Sequence, residues 1–263
     1  MLNKIDLQLE KIKKSKRVGL MTHVAIGYPS LVLTKKLVGI MEKSGADFIE
    51  LQIPFSDPIA DGATIMKACE VALKLGTKVA DCLKITVELS KTAKIPLLLM
   101  VYYNTVFNFG VEKFCQQANL AGVSGLIVPD IPPEQEKEEG FFKFCYQYKL
   151  YPIRLVSPAS NKKRLKINAK LAKGFVYCIA RFGTTGAKAK LDPKLKNYLK
   201  RVKQYFHLPL AVGFGISKPE HIKALEGLAD IAIVGSAIIN IIKKEKENFL
   251  PKVGKFIRSL KDY

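Results

Sequence analysis

Eight short apolar runs alternate along the 263-residue chain with longer segments whose apolar residues recur at helical spacing. Each run is about five to eight residues long, which is the usual length of a β-strand. Most runs are continuous and rich in Val, Ile and Leu, a pattern typical of parallel strands buried on both faces. The predicted strands are residues 19–26, 47–53, 96–102, 125–129, 153–157, 174–180, 209–213 and 230–235.

The segments between these runs predict helices, and residues 1–17 predict an additional amphipathic helix at the N-terminus. Eight strand–helix units without a change in composition favour a closed (β/α)8 barrel, or TIM barrel, formed by residues 1–263 as a single domain. An open doubly wound sheet is the alternative, but no glycine-rich dinucleotide turn follows the first run. The predicted helices are 31–43, 79–90, 111–121, 134–148, 162–171, 193–206, 218–226 with Ser217 as a candidate N-cap, and 238–247, continued by 252–259 after a break near Pro251.

The composition narrows the classes of function. The net charge is +20, but only six of the 43 basic residues are Arg, and Lys is spread along the whole chain. Together with the absence of zinc-finger spacing and RNA-binding motifs, this disfavours nucleic-acid binding and favours general attraction of an anionic substrate. We expect no membrane span, no signal peptide and no metal site. The five cysteines form no CxxC pair, which predicts buried free thiols in a reducing cytoplasm.

Two carboxylates in the second unit are the candidates for catalysis. In a barrel of this kind the active site lies at the C-terminal ends of the strands. Glu50 lies inside the second apolar run, and Asp61 closes the loop that follows it. A carboxylate inside a strand is either satisfied by a structural partner or able to exchange a proton with a substrate. Asp61 precedes Gly62 and could instead cap the next helix.

Two glycine-containing turns predict a phosphate site. The seventh run leads into GFGIS (213–217), which includes Gly215, and the eighth leads into Gly235 and Ser236. The loops after strands seven and eight form the recurrent phosphate site of this fold, where backbone N–H groups and a helix N-terminus bind the anion. The sixth loop, residues 181–190, has small residues between glycines, which is typical of a lid or of an idle flexible loop.

Six motifs along the chain carry a resemblance to the tryptophan synthase alpha chain family, from about residue 11 to residue 260. They are Glu50 with PFSDPIADG (54–62), YYN (102–104), VPDIPPE (128–134), the R-x-G-x-T-G segment (181–186), GFGIS (213–217) and GSAI (235–238). The first motif is highly specific, whereas many phosphate-binding barrels share the glycine turns.

The resemblance implies a lyase that performs a retro-aldol cleavage of indole-3-glycerol phosphate to indole and glyceraldehyde 3-phosphate in tryptophan biosynthesis. It implies that Glu50 is the general acid–base residue and that Asp61 accepts the indole N–H. Further residues match family positions: Tyr177 near the catalytic Glu, Thr185 in the lid, and Gly186, Gly215, Gly235 and Ser236 at the phosphate.

The resemblance also implies a partner and the location of the cofactor. The family works with a tryptophan synthase beta chain in an α2β2 heterotetramer, and the pyridoxal phosphate cofactor belongs to that beta chain. The cleavage itself requires neither a metal nor a cofactor on this chain.

Several residues depart from the family pattern. Gln52 stands where the family usually has Gly, and it could crowd Glu50 or form a hydrogen bond with it. Tyr28, His23 and Phe182 are also unusual. These departures leave open an alternative in which the chain has weak catalytic activity and acts mainly as an allosteric partner of the beta chain. Another alternative is a different barrel enzyme for a phosphorylated sugar, against which the PFSDPIADG loop argues.

Overall fold

The eight predicted strands form a closed parallel barrel in the computed structural model, which describes residues 2–180, 193–213, 215–245 and 248–262. Each strand pairs with its neighbours in chain order, and β8 pairs with β1. The (β/α)8 prediction is therefore confirmed, and the open-sheet alternative is wrong. The strands are β1 (Gly19–Ala25), β2 (Phe48–Gln52), β3 (Leu97–Met100), β4 (Gly125–Ile127), β5 (Tyr151–Val156), β6 (Val176–Ile179), β7 (Leu210–Gly213) and β8 (Ile231–Val234).

The helices surround the barrel, and most of them match the predicted segments. They are α1 (Lys4–Lys14), α2 (Leu31–Lys43), α3 (Ala63–Lys74), α4 (Val79–Ser90), α5 (Tyr103–Phe109), α6 (Val111–Leu120), α7 (Glu136–Glu139), α8 (Phe141–Gln147), α9 (Lys162–Leu171), α10 (Pro193–Lys203), α11 (Pro219–Lys223), α12 (Ser236–Glu245) and α13 (Phe249–Ser259). The predicted helix 134–148 is instead divided, because Gly140 adopts a left-handed conformation with φ of 62° between α7 and α8. Helices α3 and α5 were not predicted. The last helix, α13, begins at Phe249, so that Pro251, where the break was predicted, lies in its first turn, in which a proline is tolerated.

The apolar residues form one layer between the strands and the helices and a second layer inside the barrel. Ile5 and Ile12 of α1 belong to the inner layer, together with Phe48 and Phe175. The N-terminal helix therefore covers the N-terminal end of the barrel and leaves the opposite end for the loops that follow the strands.

Asp47 fastens α1 to the barrel. Its buried carboxylate accepts hydrogen bonds from Gln8 Nε2 at 2.8 Å, from both terminal nitrogens of Arg17 at 2.6 Å, and from the backbone N–H of Leu20 at 2.9 Å. A buried carboxylate with this many donors stabilises the fold only while its partners remain in place.

The five cysteines are buried and free, as predicted. Within the described ranges, we find no helix with the length and apolar character needed to cross a membrane.

Candidate active site

A cavity of about 490 Å³ brings together six of the predicted site residues. This volume is in the range of small-molecule sites. Among the residues that line it are Glu50, Asp61, Tyr177, Gly215, Gly235 and Ser236. The predicted lid residue Thr185 and the predicted phosphate ligand Gly186 lie outside the described residues.

Glu50 points into the barrel from β2 and is 2% exposed. The neighbouring strand β1 pairs in a register that sets His23 opposite Glu50. His23 Nδ1 lies 3.3 Å from Glu50 Oε1, and Glu50 Oε2 has no hydrogen-bond partner within the described part of the chain. One carboxylate oxygen is thus held by the imidazole, and the other is available to a molecule in the cavity.

His23 is buried and its pKa is raised above the ordinary value of 6.5. Burial by itself lowers this pKa, because it disfavours the charged imidazolium. The hydrogen bond and the charge of Glu50, followed by the charge of Asp61, outweigh burial. The imidazole therefore favours the protonated form between two carboxylates.

Asp61 lies in the loop between β2 and α3, where two side chains hold the same carboxylate oxygen. Gln52 Nε2 donates a hydrogen bond to Asp61 Oδ2 at 2.6 Å, and the Tyr102 hydroxyl donates to it at 3.1 Å. The backbone N–H of Ala60 donates to the Tyr102 hydroxyl at 3.0 Å and holds the loop against the residue that precedes α5. Gln52 therefore binds Asp61, and of its two considered effects on Glu50, crowding or a hydrogen bond, the hydrogen bond is not found among the described residues.

Burial raises the pKa of the Asp61 carboxyl, and the charge of Glu50 acts in the same direction. The charge of His23 and the hydrogen bonds from Gln52 and Tyr102 oppose this rise without cancelling it. The fold therefore destabilises the charged form of the Asp61 carboxyl, and a positive charge developing beside it would stabilise that form.

Tyr177 contributes a neutral hydroxyl to the cavity. Burial, followed by the charges of Glu50 and Asp61, raises the pKa of Tyr177 well above its ordinary value of 10.0. The phenol therefore remains protonated at neutral pH and can donate a hydrogen bond.

The glycine turns line the same cavity as the carboxylates. Gly215 has φ of +84°, a backbone conformation that residues other than glycine rarely adopt. Gly235 immediately precedes α12, whose first residue is Ser236, so that the N-terminus of this helix lies at the cavity wall. This arrangement suits an anion, because the N-terminus of a helix carries a partial positive charge.

Ser217 does not cap α11 as predicted. The N-cap of α11 is Lys218, whereas the Ser217 backbone N–H donates to His221 Nδ1 at 3.3 Å.

Sequence reasoning did not include His23 among the site residues, nor the apolar lining of the cavity. The apolar lining comes from the ends of several strands, including Met100, Ile127, Leu155 and Ile233. An alternation of inward and outward positions along each run could have identified these residues, but only once the barrel and its register were known.

Comparison with known proteins finds relatives that match nearly the whole chain. A family model described as Tryptophan synthase alpha chain matches residues 9–263. The chain is 45% identical over 259 residues to the tryptophan synthase alpha chain of Desulfotalea psychrophila, which covers 97% of this chain and 100% of that relative. It is 40% identical over 263 residues to that of Thermoanaerobacter sp., with 99% of each chain covered.

Solved structures give the same result. The crystal structure of tryptophan synthase subunit alpha from Legionella pneumophila superposes with a TM-score of 0.90 at 35% identity and covers 100% of this chain and 98% of that one. A structure of tryptophan synthase from M. tuberculosis superposes with a TM-score of 0.88 at 28% identity, with 99% and 98% covered. On the match to the family model, the identity to these relatives and the shared fold, the chain belongs to the tryptophan synthase alpha chain family.

Proposed function

We propose that this chain is a carbon–carbon lyase that cleaves indole-3-glycerol phosphate to indole and glyceraldehyde 3-phosphate, with residues 1–263 acting as one domain. The observation that carries the proposal is the cavity that Glu50 and Asp61 share with Gly215, Gly235 and Ser236. The carboxylates provide the acid–base chemistry of the cleavage, and the glycine turns provide an anion site for the phosphate of the substrate.

The reaction is balanced by one proton that leaves Glu50 and returns to it. Glu50 donates a proton to C3 of the indole ring, and positive charge develops at the ring nitrogen. Asp61 accepts the hydrogen bond from the ring N–H and stabilises this charge. The bond between C3 and the glycerol chain then breaks, its electron pair returns to the ring, and the hydroxyl proton of the glycerol chain passes to Glu50.

The other site residues orient these groups. Tyr177 donates its hydroxyl beside Glu50, and backbone N–H groups at Gly215, Gly235 and Ser236 bind the phosphate. Gly186 completes the phosphate site, and Thr185 closes the lid over Asp61. Phosphate binding at one end and the carboxylates at the other keep the reacting carbon atoms near Glu50.

A tryptophan synthase beta chain is the partner, in an α2β2 assembly that works in the cytoplasm with pyridoxal phosphate on the beta chain. Exposed apolar side chains near the site support a docking surface here: Ile59 is 78% exposed and Phe107 is 54% exposed. They lie on the loop after β2 and on α5, and the hydrogen bond between Ala60 and Tyr102 ties that loop to the residue just before α5.

One observation favours the alternative of a weakly catalytic, mainly allosteric subunit. The hydrogen bond between Gln52 and Asp61 occupies an oxygen that could otherwise face the substrate. A steady-state assay of indole-3-glycerol phosphate cleavage, with and without a beta chain, distinguishes an active lyase from this mainly allosteric subunit. Turnover that the beta chain increases is expected. No turnover in either state, with activation of the beta chain retained, would favour the alternative.

A further inference from the structure

His23 is the one titratable side chain of the cavity wall, within the described ranges, to which the proposed reaction gives no role. It lies opposite Glu50 on the neighbouring strand, and its Nδ1 is 3.3 Å from Glu50 Oε1. Both side chains are almost completely buried, at 4% and 2% exposure. A histidine and a carboxylate desolvated together interact much more strongly than an exposed pair.

The other described groups around His23 and Glu50 are acidic or neutral. Asp61 faces it from the loop after β2, while Tyr102 just before α5, Tyr177 on β6 and Cys69 on α3 surround the two carboxylates. Burial raises the pKa of Cys69 to about 12, and the pKa of each tyrosine is raised as well. These three remain neutral at neutral pH, so that among the described groups around the pair the imidazole is the one that can offset the charge of the carboxylates.

Gln52 plays the corresponding part at the second carboxylate, Asp61. Its Nε2 donates to Asp61 Oδ2 at 2.6 Å, and it also contributes to raising the pKa of His23. The remaining polar atoms, His23 Nε2 and Gln52 Oε1, are both buried without a hydrogen-bond partner within the described ranges. The side chains thus form two pairs, Glu50 with His23 and Asp61 with Gln52, and each pair leaves at least one buried polar atom without a hydrogen-bond partner within the described ranges.

We propose that His23 and Gln52 are positioning residues of the cleavage reaction, in which each holds one oxygen of a catalytic carboxylate and His23 shares with Glu50 the proton that Glu50 delivers. This inference rests on the proposed function. The proton lies either on the imidazole or on the carboxylic acid, and the pair has the same total charge in both forms. The acid form of Glu50 is therefore reached by a short transfer from His23 within the cavity.

The titration of His23 can be measured independently of enzymatic activity. Imidazole 15N resonances of the full chain, which has three histidines, give the pKa of His23. In the wild type, His23 should titrate above 6.5, because the carboxylates stabilise its proton. In Glu50→Gln the pKa of His23 should fall below its wild-type value, because burial then opposes fewer charges. An unchanged pKa in this variant would overturn the proposal.

Kinetics test the role of the shared proton. In the wild type, kcat should fall as the pH rises through the raised pKa of His23. In His23→Asn, which retains a neutral donor, the fall at the pKa of His23 should disappear from the pH profile, because the group that titrates there is gone, and kcat should be below the wild-type value. KM should change less than kcat.

Thr22→Val is the matched control on the same strand, since Thr22 is fully buried, its hydroxyl has no hydrogen-bond partner in the described part of the chain, and it does not line the cavity. It should retain the wild-type kcat and pH profile. The same profile and kcat in His23→Asn would refute the proposal. A wild-type chain without turnover would instead refute the proposed function, and the 15N titration would still decide whether the pair shares a proton.

Discussion

Replacing Asp61 by Asn should separate activity from stability. The substitution retains the size of the side chain and an oxygen that can accept from Gln52 and Tyr102, which now donate to Oδ2 at 2.6 and 3.1 Å. It removes the negative charge that would face the indole nitrogen. Hydrogen bonds to a charged group contribute about 1.5–3 kcal/mol, so that kcat/KM should fall about 10- to 150-fold.

The same variant should be at least as stable as the wild type at neutral pH. The pKa of Asp61 is raised in the folded chain, chiefly by burial, so that the folded state binds this proton more tightly than the unfolded state. The carboxylate therefore costs stability as the pH rises from the ordinary value of 3.8 through the raised pKa. The gain in Asp61→Asn should be present at neutral pH and should disappear below 3.8, where the carboxyl is protonated in both states.

Both effects can be measured on one preparation. Steady-state cleavage of indole-3-glycerol phosphate gives kcat/KM, and urea unfolding followed by circular dichroism gives the stability at neutral and acidic pH. Asp57→Asn, in the same loop but at an exposed position, is the control and should retain activity. A wild-type kcat/KM in Asp61→Asn would refute the reasoning. So would a loss of activity that accompanies a loss of stability at neutral pH.

Two further predictions concern the base of the barrel and the phosphate end. Asp47→Asn should lower the free energy of unfolding, measured by urea, by about 2–3 kcal/mol, because it breaks the buried ion pair with Arg17. Glu88→Gln, which breaks an exposed ion pair with Lys35, is the control and should leave the urea midpoint unchanged. Gly235→Ala places a methyl group 3.3 Å from His23 Cβ, at a turn that lines the cavity. It should raise KM about tenfold and also lower kcat, because it crowds both the proposed phosphate turn and His23. It should weaken competitive inhibition by inorganic phosphate, which equal inhibition of both proteins would contradict.

The barrel could be predicted because its strands are buried on both faces, which produces continuous apolar runs that need no knowledge of their neighbours. The pattern of α3 was missed because its buried face consists of small residues, Ala68, Cys69 and Ala72, which give a weak periodic signal. The division of the predicted helix 134–148 depends on the left-handed conformation of Gly140, and a glycine inside an amphipathic pattern does not by itself specify that conformation.

The candidate site was predictable where a local motif carries it and not where the fold assembles it. Glu50 and Asp61 lie within one strand–loop segment, and the glycine turns follow two recognisable strands. The contact between His23 and Glu50 instead depends on the register between β1 and β2, and that between Gln52 and Asp61 on the path of the loop. Neither is encoded in the spacing of residues along the chain.

The most direct test of the account is the cleavage of indole-3-glycerol phosphate by Glu50→Gln, measured beside the wild type with the same beta chain. General acid–base catalysis contributes about 10²- to 10⁴-fold, and the activity of the variant should fall by that amount while its circular dichroism and its binding of the substrate are retained. Cleavage within a few fold of the wild type would contradict the assignment of Glu50 as the residue that delivers the proton.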